Sequence, residues 1–327
     1  MRQNVTTKIR LHQRGLFTIV VPVLNEREHI SNLIMSVYRQ NYRPIELIIV
    51  DDGSTDGTLD IVQDLKNKLE DSQFTIKILH TDGRKGPAHA RSLGLKHANG
   101  SFIMFMDADT VFLNNKAIDK FVDCFKDSRV VGYKLCILVD NWLEKNYAVD
   151  YGTAIGYAFH KSLIKNLRWD VELGAGEDIV FIENLRRLRI LENVKILEEP
   201  LVGIHLIHSF REYVRQKLWY GRTFWLFVRK YPWSIYTLIW LIRMLPCAPL
   251  ILSTLFLFAG LYDISKIMLA LYILTVLYAY LIKKRITLGR LVYAFFNTSI
   301  GSLFYVTGML QGLFQYLLCG KINTSRD

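Results

Sequence analysis

The sequence predicts an α/β domain on a mostly parallel sheet with flanking helices, followed by an α-helical membrane region. Three observations carry this. Residues 17–106 alternate short apolar runs with charged stretches of helical period, which is the pattern of βαβ units. Two of the runs stop at acids: Glu46–Val50 at Asp51 and Asp52, and Ser101–Met106 at Asp107 and Asp109. From about residue 235 the chain passes into long apolar runs broken by few charges, as bilayer-crossing segments require.

The elements follow in order. Phe17–Val23 is a buried strand, and Ile30, Leu33, Ile34, Val37 and Tyr38 mark one face of the helix after it. Pro44 breaks the connection to a second strand, Glu46–Val50. Ser54 to Thr58 offer turn and N-cap chemistry for a helix running to Lys68. Phe74–Leu79 is a third strand, Gly86–Ala98 a helix and Ser101–Met106 a fourth strand. Beyond Asn114 the pattern loosens, with a helix near Lys116–Phe125 and a strand near Val130–Val139. A glycine-rich approach, Gly174 and Gly176, precedes a helix from Glu177 through Arg189 whose buried side is Ile179, Phe181, Ile182, Leu185 and Leu188.

Residues 1–210 are thus expected to form one globular domain, with two walls (about 15–113 and 114–210) around a crevice. Residues 211–233 interleave Arg211, Arg215, Lys217, Arg222 and Arg229 with Tyr213, Trp219, Tyr220, Phe224 and Trp225, which suits the headgroup layer of a lipid bilayer. Within 234–327, three transmembrane spans are expected near 235–261, 264–282 and 291–318. The basic loop 283–290 then places the globular domain in the cytoplasm of a multi-pass protein of the cell membrane.

The net charge of +11, from 41 basic and 30 acidic residues, suits either nucleic acid or anionic lipid. The basic residues cluster beside the apolar runs, which favours lipid and speaks against nucleic acid. Four scattered cysteines form no Cys-x-x-Cys pair, which excludes zinc-finger and dithiol-redox chemistry and points to a reducing compartment. Met1 to Arg10 contain no apolar run, so no signal peptide is expected there. The absence of a Gly-x-Gly-x-x-Gly after the first strand and of a Walker loop disfavours dinucleotide and P-loop chemistry.

The chemistry concentrates at the strand ends. Ligands of open α/β sheets bind outside the carboxyl ends of the strands, and crowded carboxylates there repel unless a cation or donors hold them. Asp107 and Asp109, one residue apart in a turn, can reach one divalent ion, Mg2+ or Mn2+. Asp51 or Asp52 can accept from a base N–H or a ribose hydroxyl, while Gly53, Ser54 and Thr55 equally describe a capping turn. Glu177 and Asp178 open a helix, where acids serve either the helix dipole or as general base toward an acceptor. Arg84, Lys85 and Arg91 flank Gly86, where a cation can touch a phosphate or equally form a solvated face. His205 and His208 can complete a metal shell or contact a diphosphate, or simply be buried.

Taken together, Val20 to Glu26, Val50 to Gly57, Asp107 to Asp109, Gly176 to Asp178 and Arg215 to Arg222 occur in an order that resembles the family-2 inverting glycosyltransferases of GT-A fold, in their membrane-anchored form. The resemblance covers about residues 17–222. It implies that Pro22, Glu26, Asp51 and Asp52 hold the nucleotide of a nucleotide-sugar donor. It further implies that Asp109, helped by Asp107, binds the metal and that Asp178 is the base. Glu177, Gln216, Trp219 and Arg222 fall on the acceptor and diphosphate side. Polymerases of the family carry Gln-x-x-Arg-Trp, and Gln216 to Trp219 lacks that arginine, so transfer of single sugars is expected. The acceptor is then a hydroxyl on a membrane lipid or lipid-linked glycan. The rival readings are a polyprenyl-phosphate glycosyltransferase and a catalytically idle binding module.

Overall fold

The computed structural model describes residues 15–138, 147–148, 156–205, 210–234, 237, 252–253, 256–281 and 301–322. The chain divides into two compact units, Met1–Val171 with Gly176–Leu206, and Glu172–Ala175 with Ile207–Asp327.

The first unit runs β1 (Phe17–Val23), α1 (Ile30–Tyr38), β2 (Ile45–Asp51), α2 (Thr58–Leu69), β3 (Phe74–His80), α3 (Pro87–His97), β4 (Phe102–Phe105), β5 (Thr110–Phe112) and α4 (Ala117–Cys124). It continues through β6 (Val130–Leu138), β7 (Tyr147–Ala148), β8 (Tyr157–His160), α5 (Lys161–Ile164), α6 (Glu177–Arg187) and β9 (Lys195–His205). The strands make one sheet in the order β3-β2-β1-β4-β8-β6-β9-β5, with β7 beside β6. Parallel pairing predominates: β3, β2, β1 and β4 are parallel throughout, and β6 runs parallel to β9. Strand β8 enters antiparallel between β4 and β6.

The period of two along each strand sorts the core onto two faces. Ile19, Val21, Leu47, Ile49, Met104 and Met106 pack with α1, α2 and α4 on one side. Val20, Ile48, Val50, Ile103 and Phe105 meet Ala88 and Leu95 of α3 and Phe181 and Leu185 of α6 on the other. Strands β1, β2 and β4 therefore read as continuous apolar runs, as strands buried on both faces do. The expected helix through Arg189 stops at Arg187, and Leu188, expected inside, is 59% exposed.

Chain order turns back at β1, which leads to β2 and β3 on one side and to β4 on the other. A crevice at the carboxyl ends of β1 and β4 follows from that reversal. At the opposite ends a buried polar knot fixes the same strands. Thr18 Oγ1 donates to Glu46 Oε2 at 2.6 Å, and Asn99 gives Glu46 its backbone N–H at 2.8 Å and its side-chain amide at 2.6 Å. Gly100 N–H donates to Thr18 Oγ1 at 2.9 Å, and a Cβ at Gly100 would stand 2.5 Å from the Leu16 carbonyl oxygen.

The described helices of the second unit include α7 (Phe210–Lys230), α8 (Tyr262–Leu281) and α9 (Ser302–Cys319). Helices α7 and α9 approach to backbone distance through glycine. A Cβ at Gly221 would land on the Tyr305 carbonyl oxygen, one at Gly308 on that of Leu218 and one at Gly312 on that of Arg222. Phe224 meets Tyr305 edge-on, and Trp225 Nε1 donates to the Met309 carbonyl at 2.7 Å. Trp219, Phe224 and Phe227 are buried. Phe224 and Trp225, two of the aromatics read from sequence as interfacial, thus pack against α9.

The expected membrane topology is corrected: among the described residues no helix is long and apolar enough to cross a membrane. Helix α8 opens with Asp263 and Lys266, paired at 3.2 Å. The 18 residues of α9 rise about 27 Å and include Gln311 and Gln315. Most of the first expected span, the loop 283–290 and residues 291–300 of the third expected span lie outside the described residues. The multi-pass placement with a cytoplasmic catalytic domain has no support in these helices.

Two outcomes follow from this packing. Glu46→Ala strands the Thr18 hydroxyl and the Asn99 N–H, and urea unfolding is expected to show a loss of about 2–4 kcal/mol. Gly308→Val forces α7 and α9 apart, and limited proteolysis is expected to cut the second unit of this variant first while leaving the sheet protected.

Candidate functional site

The loops that follow β1 and β2 are sewn together before any ligand is considered. Asn25 sits in the left-handed region at φ 56°; its N–H donates to Ser54 Oγ at 3.0 Å and its Oδ1 accepts from Thr55 N–H at 2.8 Å. Glu26 N–H donates to Thr58 Oγ1 at 3.0 Å, and Arg27 N–H to Asp56 Oδ2 at 3.1 Å. This explains Ser54, Thr55, Asp56 and Thr58: each closes the gap between two strand ends. Pro22, paired in register with Val50, is half-buried at the top of β1.

The acids of β2 are buried and engaged. Asp51 accepts from the N–H groups of Gly53 at 3.2 Å and Ser54 at 3.1 Å, and His80 Nδ1 lies 3.7 Å away. Asp52 accepts from Thr81 Oγ1 at 2.6 Å and from the N–H groups of Lys85 and Gly86, both at 2.8 Å. The second acid, which a capping turn leaves unexplained, thus moulds the loop carrying Arg84 and Lys85, whose side chains are exposed.

The centre of the site is a guanidinium. Arg91 projects from the buried side of α3 and is 5% exposed. Its NH1 donates to Glu177 Oε1 and its NH2 to Asp107 Oδ1, each at 2.7 Å, and its Cζ lies 5.1 Å from the ring centroid of Trp169. Trp169 in turn stacks on Phe181 of α6 at 4.2 Å and 7°. Burial opposes the Arg91 charge, but Asp107, Glu177 and Asp178 outweigh it and raise its pKa. Burial also raises Glu177 above the usual carboxylate range, with Arg91 pulling the other way. Tyr133 of β6 is held well above the usual phenol value by burial and then by the Asp107 charge.

Asp178 is treated differently. Its Oδ1 accepts from the Ile179 N–H at 2.8 Å, but Arg91 binds its neighbours instead. Burial first, then the charge of Glu177, push its pKa up to about 7, and Asp107 adds to this against the pull of Arg91. Gly176, at φ 85°, makes the left-handed turn that starts α6, so both acids occupy the helix's first turn. A carboxylate poised near neutrality is able to accept a proton and release it.

Asp107 and Asp109 share a turn closed by Thr110, whose N–H and Oγ1 donate to the Asp107 carbonyl at 3.0 and 2.6 Å. Their oxygens are hard donors of the kind Mg2+ and Mn2+ take, although one Asp107 oxygen is committed to Arg91. Among the described residues no group of three or more His, Cys, Asp and Glu side chains is placed to hold a metal ion. His205 ends β9, and His208 lies outside the described residues. Gln216, Trp219 and Arg222 belong to the second unit; Arg222 lines an open groove with Thr307, Leu310, Gln311, Phe314 and Gln315.

Sequence reasoning placed Arg91 beside a phosphate because it follows Gly86. Its spacing with Ala88 and Leu95, all three buried, is the signal that it points inward. Trp169 and Tyr133 were not singled out, since an isolated aromatic carries no such mark.

A sheet that reverses at β1, with acids gathered beyond its carboxyl edge, defines an open α/β architecture whose ligand crevice lies at that edge. The profile described as Glycosyl transferase family 2 matches residues 18–182, and the chain belongs to that family. It is 33% identical over 147 residues to an uncharacterized glycosyltransferase of Haemophilus influenzae, covering 43% of this chain and 57% of the relative. It is 41% identical over 101 residues to WfgD of Escherichia coli, a UDP-Glc:alpha-D-GlcNAc-diphosphoundecaprenol beta-1,3-glucosyltransferase, covering 31% of this chain and 38% of WfgD. The matches thus span about half or less of these relatives. Among solved structures, a Pyrobaculum calidifontis mannosyltransferase in complex with GDP-Man and Mn2+ has a TM-score of 0.54 at 18% identity, covering 95% of this chain and 89% of the other. TarS of S. aureus in complex with UDP-GlcNAc has a TM-score of 0.51 at 22% identity, covering 59% of each chain. These likenesses bear on the fold, and the sheet with its flanking helices fits the expected GT-A arrangement.

The raised Asp178 pKa has a thermodynamic sign. The folded chain keeps this proton up to about pH 7, against an ordinary value of 3.8. The stabilisation this group contributes is therefore full below about pH 4 and is lost as pH rises through 7. Asp178→Asn is expected to be more stable than the parent at pH 8, by about 2–4 kcal/mol, with the difference shrinking toward pH 4. Thermal melts across that range check it.

Proposed function

We propose that the chain is an inverting glycosyltransferase moving a single sugar from a nucleoside-diphosphate sugar to a hydroxyl of a lipid-linked or cell-envelope glycan. The observation that carries this reading is Asp178: a carboxylate in the first turn of α6, unclaimed by Arg91 and pushed up to about 7, in the same cluster as Asp107. Family membership and the printed activity of WfgD on a diphosphoundecaprenol-linked sugar support the donor and acceptor classes.

In this mechanism Asp178 takes the proton of the acceptor hydroxyl as its oxygen attacks the anomeric carbon from the face opposite the leaving diphosphate. One carbon–oxygen bond forms as the other breaks, and no covalent intermediate is needed. Pro22, Glu26, Asp51 and Asp52 line the nucleotide side, Asp51 and Asp52 by shaping the loops around it. Asp107 and Asp109 would hold a divalent ion, which would supply neutralising charge for the departing diphosphate. Glu177 lies on the acceptor side of the cluster, with Arg84 and Lys85 on the loop that Asp52 shapes. Gln216, Trp219 and Arg222 are assigned to the acceptor by resemblance alone. A phosphate acceptor would arrive already ionised and need no base, so the neutral-range carboxylate favours a hydroxyl.

The test is transfer of label from UDP-Glc, UDP-GlcNAc and GDP-Man into lipid and envelope extracts, with and without Mn2+ or Mg2+. One donor is expected to serve, and Asp178→Asn to lower its turnover about a thousandfold while the donor still binds. Full activity in Asp178→Asn would remove the base from the mechanism and restore the phosphate-acceptor reading.

A further inference from the structure

The clamp around Arg91 divides the acids unequally, and the division has a use. Glu177 and Asp178 are adjacent in the chain, yet Arg91 takes Glu177 and leaves Asp178. The choice is built in. Arg91 lies over the face of Trp169, which is stacked on Phe181 one turn along α6 from Glu177. The guanidinium is thereby held in one plane, and its two outer nitrogens reach one oxygen each on α6 and on the turn after β4. Glu177 itself is 8% exposed, so an acceptor sugar has little of it to touch.

We propose that Glu177 is a positioning residue: clamped by Arg91, it ties the head of α6, and with it Asp178, to the Asp107 turn. The inference rests on the reading of Asp178 as the base. Arg91, in the same scheme, serves the protein's own carboxylates instead of the donor diphosphate. The charged groups that face Asp178 are Glu177 on its own helix, Arg91 from α3 and Asp107 from the turn after β4. Removing the Glu177 charge leaves the attraction of Arg91 less opposed, so Asp178 should become a stronger acid.

Glu177→Gln keeps the shape and the oxygen that accepts from Arg91. In this variant the acid limb of the kcat/KM profile is expected to move about one pH unit lower. A second readout needs no substrate. The pH at which Asp178→Asn begins to out-melt its parent is compared in the wild-type and Glu177→Gln backgrounds, and the same downward displacement is expected. Arg91→Lys, which keeps the charge but loses the fork and the flat stacking surface, is expected to lower kcat at the plateau about tenfold or more, with donor KM within about threefold.

An unmoved limb together with an unmoved melting displacement would overturn the positioning role of Glu177. A rise in donor KM with kcat intact in Arg91→Lys would return Arg91 to the diphosphate. Should Asp178→Asn keep full activity, the base assignment fails instead, and the melting comparison alone then decides whether Glu177 and Asp178 are coupled as stated.

Discussion

Everything about this site depends on one buried cation among carboxylates. An arginine with 5% of its side chain exposed is tolerable only when its charge is answered on the spot, and Asp107 and Glu177 answer it at 2.7 Å each. A buried pair of this kind adds little net stability, because desolvation takes back most of the Coulomb gain, but breaking it leaves an uncompensated charge. Its value is geometric. The three partners come from α3, the turn after β4 and the first turn of α6, elements separated by long stretches of chain. The guanidinium is the point at which they must agree: a drift of α6 along the sheet would open its charge-assisted bond to Glu177, and a drift of α3 would open both.

The second constraint is the opposite wall of the same half-sheet. Loops after β1 and β2 are joined by Asn25, Ser54, Thr55, Asp56 and Thr58, and Asp52 pulls the loop after β3 into the same frame. These are short polar groups satisfying backbone donors that no strand or helix can reach. Far below them Glu46 performs the same service for Thr18 and Asn99. Strands β1 and β2 are thus pinned at both ends by carboxylates, which leaves the carboxyl edge stiff enough to hold a ligand's atoms in fixed places.

How much of this is legible in the sequence depends on whether a feature has a period or a partner. The first three strands, α1 and the buried stripe of Ile30, Leu33, Ile34 and Val37 repeat at 2 or 3.6 residues, and they are where the pattern places them. The three-residue β5 and four-residue β8 are too short to show a period, and pairing across the sheet decides them. Among site residues, the acids at strand ends were visible because charge at the end of an apolar run is conspicuous. The partners of Arg91 were not, since Glu177 lies 86 residues away and nothing local announces the pairing, although the stripe of Ala88, Arg91 and Leu95 shows that it is buried. The long apolar runs misled for a related reason. Hydropathy counts residues without regard to where a helix begins or what it packs against. Here α8 starts on charges, and α7 and α9 spend glycines and aromatics on each other.

The clamp also accounts for why two acids at one helix start behave so differently. In the first turn of a helix a carboxylate is ordinarily stabilised by the dipole and becomes a stronger acid. Asp178 has that position, and it has the Ile179 N–H as donor, yet its pKa lies far on the other side of the ordinary value. Burial and a clamped negative neighbour therefore outweigh the helix end. Glu177 feels the same burial and is raised too, with Arg91 pulling against it. A site with one cation and several acids has to leave some carboxylate unmatched, and the stacking of Arg91 on Trp169 decides which. The unmatched one destabilises the folded chain above neutral pH and gains affinity for a proton in return. That exchange of stability for reactivity in a single side chain is what a general base requires.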